Sequence, residues 1–93
     1  MQLTENQRGM MRRALGLGTS KRAYRNRYHI GLRRSHAAWV ELCEQGLAVL
    51  SSPGVYKVTR AGFAEVALPG ETFDAETFIG TRTATMNRTE VRL

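Results

Sequence analysis

A single cysteine, Cys43, is present among the 93 residues. A secreted domain of this size usually carries several, so a disulfide framework is excluded and a reducing compartment is favoured. No apolar run approaches the roughly 20 residues that a membrane-spanning helix needs, and no membrane is expected among the partners. The opening residues, MQLTENQRG, are polar and lack the apolar stretch of a signal peptide. Asn87-Arg88-Thr89 matches the glycosylation acceptor pattern, which means nothing without secretion. No Cys-x-x-Cys or matched His pair supplies zinc-ligand spacing. His29, His36 and Cys43 recur every seven residues, but only His36 and Cys43 would share a helix side. No Gly-rich phosphate loop occurs, and no carboxylate pair sits in a catalytic setting. His36 and Cys43 fall on an apolar stripe, where a thiol is ordinarily inert packing. No enzyme, cofactor or metal site is expected.

A further absence is local: between Arg8 and Arg34 there is no acidic residue. The same segment holds nine basic ones, Arg8, Arg12, Arg13, Lys21, Arg22, Arg25, Arg27, Arg33 and Arg34. Residues 35–93 carry five basic and seven acidic side chains, so the net charge of +6 arises in the N-terminal third. A block this one-sided seeks an anion: nucleic acid, phosphate or an acidic protein face. The competing reading is a solvated, solubilising surface. Composition is otherwise ordinary for a globular chain, 42 % hydrophobic and 24 % charged. A chain this short makes one domain and buries only about 60–65 % of its unfolded surface. Its core is therefore thin, and a homodimer is the expected way of covering more of it.

Thr4 and Gln7 have capping-box spacing, and Glu5 suits the positive end of a helix dipole. Met10, Met11, Ala14 and Leu15 share one side of the helix that follows, with Gln7 among them and Arg8, Arg12 and Arg13 opposite. Gly16 and Gly18 stop it. Residues 19–34 have little periodicity: a second helix is only weakly indicated, and Tyr24, Tyr28 and Ile30 could instead anchor a turn or short strand with the arginines outside. The next clear helix runs from Ser35 as N-cap to Gly46, with an apolar stripe of Trp39, Leu42 and Cys43. Leu47–Leu50 and Val55–Val58 read as a hairpin around Ser51-Ser52-Pro53-Gly54, where proline presets one central φ and glycine accepts a positive one. Thr59 caps a short helix that ends at Pro69-Gly70. Residues 71–93 are threonine-rich: a docked extension, a pair of short strands around Asn87, or a flexible tail. Within them, Asp74 and Glu76 lie between Phe73 and Phe78, an arrangement suited to docking against the body.

Residues 42–66 resemble the wing of winged-helix proteins of the MarR and PadR type. Gly46-Leu47 follows a helix, a strand and wing turn come next, and Tyr56-Lys57-Val58-Thr59-Arg60-Ala61-Gly62 matches the aromatic-x-x-Thr-x-x-Gly element. There the threonine caps the next helix and the glycine permits close packing against the hairpin. The chain also resembles small uncharacterised phage and prophage proteins, through Leu3-Thr4-Glu5-Asn6-Gln7, Arg13-Ala14-Leu15-Gly16-Leu17, Tyr24-Arg25-Asn26-Arg27-Tyr28 and Trp39. It departs from them at Gly31-Leu32-Arg33-Arg34-Ser35. These resemblances imply an α+β winged-helix-like domain over residues 1–70, with helices at about 4–15, 35–45 and 59–68, a β-hairpin at about 47–58, and a C-terminal extension over 71–93. They also imply a location in the cytoplasm of a bacterial host.

A winged-helix protein ordinarily reads DNA with the helix ahead of the wing. Here that helix exposes Glu41 and Glu44 and no basic residue, and the wing tip is uncharged. Phosphate contacts are instead expected from the basic segment and Lys57, with Tyr24 and Tyr28 either stacking on unpaired bases or packing in the core. The expected function is that of a nucleic-acid-associated accessory or regulatory protein. The alternative is an interaction module that binds an acidic host protein and inhibits or recruits its complex.

Overall fold

A computed structural model describes residues 3–31 and 33–81; the side chains of residues 33, 34 and 75 are not described. The protein is a small α+β domain. Its elements are α1 (Glu5–Leu15), β1 (Arg22–Ala23), β2 (Tyr28–His29), α2 (Arg33–Glu44), β3 (Ala48–Ser52), β4 (Val55–Val58), α3 (Arg60–Val66), β5 (Thr72–Phe73) and a 3₁₀ turn, Ala75–Phe78. The strands β2, β4 and β3 form an antiparallel sheet in that order, and β1 pairs in parallel with β5. Among the described residues, no helix is long and apolar enough to cross a membrane.

The local signals act as their chemistry requires. Thr4 and Gln7 close the capping box, each side chain bonding the other's backbone N–H at 3.0 Å. Both long helices end on a left-handed glycine. At Gly16, Leu17 N–H reaches back to Arg12 O; at Gly46, Leu47 N–H reaches Leu42 O, the six-to-one bond of a Schellman ending. Thr59 caps α3 by accepting from Gly62 N–H, and its hydroxyl donates to Gly46 O at 2.7 Å, tying the start of α3 to the end of α2. The core gathers Met11, Leu15, Trp39, Leu42 and Val58, with Trp39 stacked on Tyr56 at a centroid distance of 5.5 Å. Phe73 and Phe78 pack edge-to-face on Phe63, placing residues 73–78 against α3.

Several expectations need correction. Ser35 is not an N-cap: α2 begins two residues earlier, at Arg33, because arginine is a good helix former and no proline or glycine holds residues 33–34 out of the helix. Of the two alternatives for residues 19–31 the helix is the one set aside: β1 and β2 occupy the described part, with Tyr28 in a short strand as the other alternative had it. Its main chain is instead drawn onto the free carbonyls at the end of α1, through Tyr24 N–H to Leu15 O and Arg27 N–H to Ala14 O. The hairpin turn is shorter than four residues. Ser51 and Ser52 belong to β3, with a register shift between Leu50 and Ser52, and only Pro53-Gly54 turns the chain, Gly54 at φ 77°. The bulge supplies twist that a turn with proline first and glycine second does not. Helix α3 stops at Val66 rather than Leu68, since Pro69 bars the residue before it from helical angles. The strands considered around Asn87, and the Asn87-Arg88-Thr89 pattern, lie outside the described residues.

Candidate anion-binding face

The segment from Tyr24 to Tyr28 owes its shape to Asn26. The β2–β4 register pairs Tyr28 with Tyr56 and His29 with Val55, which puts Asn26 opposite Val58. There the main chain has turned away to bond α1, and the Asn26 side chain takes over the ladder. Its amide donates to Val58 O at 2.7 Å and Thr77 O at 3.0 Å, and its carbonyl accepts Val58 N–H at 2.7 Å. With Asn26 drawn inward, its neighbours Arg25 and Arg27 are exposed.

The nine-residue basic block is divided by the fold. Arg12 is withdrawn from the face expected of it. It forms a two-pronged pair with Glu71, both N–O distances 2.7 Å, and donates to Val66 O. Arg22 pairs with Asp74 at 3.2 Å, but both side chains are largely solvated and the pair contributes little. Arg8 donates to Glu65 O. Lys21 is exposed, and its charge helps Glu71 stay ionised. Arg13, Arg25, Arg27 and Lys57 have no ion-pair partner among the described residues. Arg25 is held in place, donating twice to Arg13 O at the C-terminal, negative end of α1. The side chains of Arg33 and Arg34 lie outside the described ones.

The tyrosines also separate. Tyr28 is half-buried against Trp39, ring centroids 5.1 Å apart, and belongs to the packing. Tyr24 is 50 % exposed, with an edge of its ring resting on Gly16: a Cβ there would lie 2.8 Å from its Cζ. The Arg25 guanidinium lies 5.7 Å from the Tyr24 ring centroid.

A cleft of about 650 Å³ opens beside this segment, its lining including Tyr24, Arg25, Arg27, His29 and Lys57. Asp74 and Glu76 line it as well. A smaller cleft of about 380 Å³ shares Arg25 with it and is lined also by Gly16, Arg13 and the Glu71-paired Arg12. Arg13, Arg25, Arg27 and Lys57 thus follow one connected path, while Arg12, Lys21 and Arg22 are associated with Glu71 and Asp74. Cys43 stays apart from this chemistry, its thiol pushed up by burial and by the charge of Glu44, which leaves less thiolate.

Sequence reasoning did not single out Asn26, because an asparagine among arginines reads as another surface residue. It also gave Glu71 no role. Glu71 accepts both prongs of Arg12 and the Leu68 N–H, and these bonds, Arg12's foremost, hold its carboxyl below the usual carboxylate range. A depressed folded-state value stabilises the fold above the unfolded carboxylate range, and that contribution is lost as pH falls through the lower folded value. Glu71→Gln is therefore expected to cost about 2 kcal/mol near neutral pH, discounted from a fully buried pair because Arg12 retains some solvent. The gap from the native protein should close as acid protonates Glu71; chemical denaturation between neutral pH and about pH 3 measures both effects.

Comparison of the chain with protein-family models, curated proteins and solved structures finds no match.

Proposed function

We propose that this protein is a small nucleic-acid-associated accessory protein, of the phage type its motifs resemble, which holds phosphates along the path from Arg13 through Arg25 and Arg27 to Lys57. The observation that carries this reading is the division of the basic block. The fold neutralises Arg12 on Glu71 yet leaves these four cations lining two clefts that share Arg25. A winged-helix-like body is part of the proposal. It is supported by a helix that runs through Gly46-Leu47 into a hairpin, by the return strand's pairing with β2, and by that strand's entry into a Thr-capped helix. Among the described residues no helix forms over 19–31, and α2 exposes Glu41 and Glu44, its arginines, Arg33 and Arg34, standing only at its first two positions; both points favour a body that acts as a scaffold rather than a reader of the major groove.

Binding to generic oligonucleotides should then weaken with salt. Four released counterions give a log–log slope of about −3. The double variant Arg25→Ala/Arg27→Ala should flatten that slope by about 1.5 and weaken binding at low salt by at least about tenfold. No binding at low salt, or a slope near zero, overturns the reading.

A second reading, an interaction module directed at a host complex, is favoured by the exposed face of α2, where Ala37, Val40, Glu41 and Glu44 meet solvent. Pull-down from nuclease-treated lysate separates the two: a stoichiometric protein held through α2 supports the second, and recovery of nucleic acid alone counts against it.

A further inference from the structure

Resting on the phosphate-binding reading, we infer that the preferred ligand is a single strand, with one unpaired base stacked on Tyr24 at the junction of the two clefts. Three observations lead there. The first is the mixed lining of the larger cleft. Arg25, Arg27 and Lys57 suit phosphate, but Asp74, solvated though paired with Arg22, and Glu76 line the same cleft and would repel it. A ligand that satisfies both sides carries anionic groups and hydrogen-bond donors together. A nucleotide with an unpaired base does so, since the exocyclic amines of cytosine and adenine donate to carboxylates. In a duplex one proton of each amine is taken up by pairing and the other lies within the major groove, whereas an unpaired base presents both.

The second observation is Tyr24 itself. It is 50 % exposed, and its ring stands beside Arg25, whose guanidinium lies 5.7 Å from the ring centroid. Its position is fixed: Gly16 at φ 81° leaves room for the ring edge, and the Tyr24 N–H is bonded to Leu15 O. The ring is thus a pre-set platform, and Tyr28, packed on Trp39, is not a second one. The third observation is the path. The two clefts share Arg25, and Tyr24, which lines the larger, rests on Gly16 of the smaller, so a chain that fills both passes Tyr24. A single strand does this readily, whereas a duplex is stiff over about 150 base pairs.

The test is fluorescence anisotropy with labelled oligodeoxynucleotides of about ten nucleotides, single-stranded and duplex, at low salt. The native protein should bind the single strand more tightly. Tyr24→Ala should weaken single-strand binding about tenfold, Tyr24→Phe should retain it, and duplex binding should change little in either. Circular dichroism and thermal unfolding confirm that both variants are folded; if Tyr24→Ala is not, Tyr24→Ser and the quenching of tyrosine fluorescence by bound bases carry the same comparison. Duplex binding as tight as single-strand binding, or equal single-strand affinity in native and Tyr24→Ala proteins, overturns this inference and leaves the phosphate reading standing. Absence of binding to either oligonucleotide overturns both.

Discussion

Replacing Asn26 by alanine is expected to lower the unfolding free energy by about 3 kcal/mol, a large share of what a domain this size possesses. The side chain is nearly buried and stands where a strand residue would exchange two main-chain bonds with Val58. Alanine leaves Val58 N–H, Val58 O and Thr77 O without that partner, and each buried group left unpaired costs about 1–3 kcal/mol, less where water enters the space vacated. Asn26→Asp should be no better, since its carboxylate can accept from Val58 N–H but turns an acceptor toward Val58 O and Thr77 O, which now receive amide protons. Urea unfolding measures the loss, and hydrogen exchange localises it: the Val58 amide should exchange faster in both variants. A loss below about 1 kcal/mol would mean that the amide is readily replaced by water. The prediction also bears on binding, because Arg25 and Arg27 are exposed by the turn that Asn26 anchors.

The second large effect is at Gly62, and its control is at Gly9. A Cβ on Gly62 would meet the Leu47 carbonyl oxygen and come within 2.6 Å of Val58 Cγ1 and 3.0 Å of Met11 Cε. The methionine tip can move. The Leu47 carbonyl cannot move freely, since it accepts Thr59 N–H at 3.0 Å at the junction of hairpin and α3. Gly62→Ala must therefore push α3 off the hairpin. The gain of about 1 kcal/mol in helix propensity opposes this but does not offset it, and the expected net loss is about 3 kcal/mol. For a domain of this size that is a fall in melting temperature of about 15 °C. Gly9, also within a helix, has nothing within 4 Å of the corresponding position, so Gly9→Ala should stabilise by up to about 1 kcal/mol. Opposite signs from one chemical change at two helical glycines separate packing from propensity; equal signs would refute the close-approach account.

Features legible in the residue order are those whose partners lie within a turn or two. Thr4 with Gln7 and Thr59 with Gly62 are three residues apart, and a helix start sets that distance whatever the rest of the chain does. Gly16, Gly46 and Gly54 were readable as stops and a turn because only glycine takes positive φ without strain. The stretch from 19 to 31 was not readable. Its strands are two residues long and are held by bonds to α1, by Asn26 and by β5, none of which leaves a periodic trace. Ser35 misled for a related reason: a good capping residue caps only where the chain before it leaves the helix.

The charge block shows the same division. That residues 8–34 hold nine cations and no carboxylate is a property of the sequence alone, as are the acidic outward face of the Trp39 helix and the uncharged hairpin tip. Which of those cations lack an ion-pair partner among the described residues was decided only by the tertiary structure. Glu71 stands 59 residues from Arg12, and Asn26 reaches partners 32 and 51 residues away. Contacts at such separations depend on how the helices and sheet pack, because nothing in a local stretch of chain encodes the far group that will meet it. Charge is summed residue by residue; its direction is set by the fold, which turned Arg12 inward to Glu71 and left Arg13, Arg25, Arg27 and Lys57 along one path.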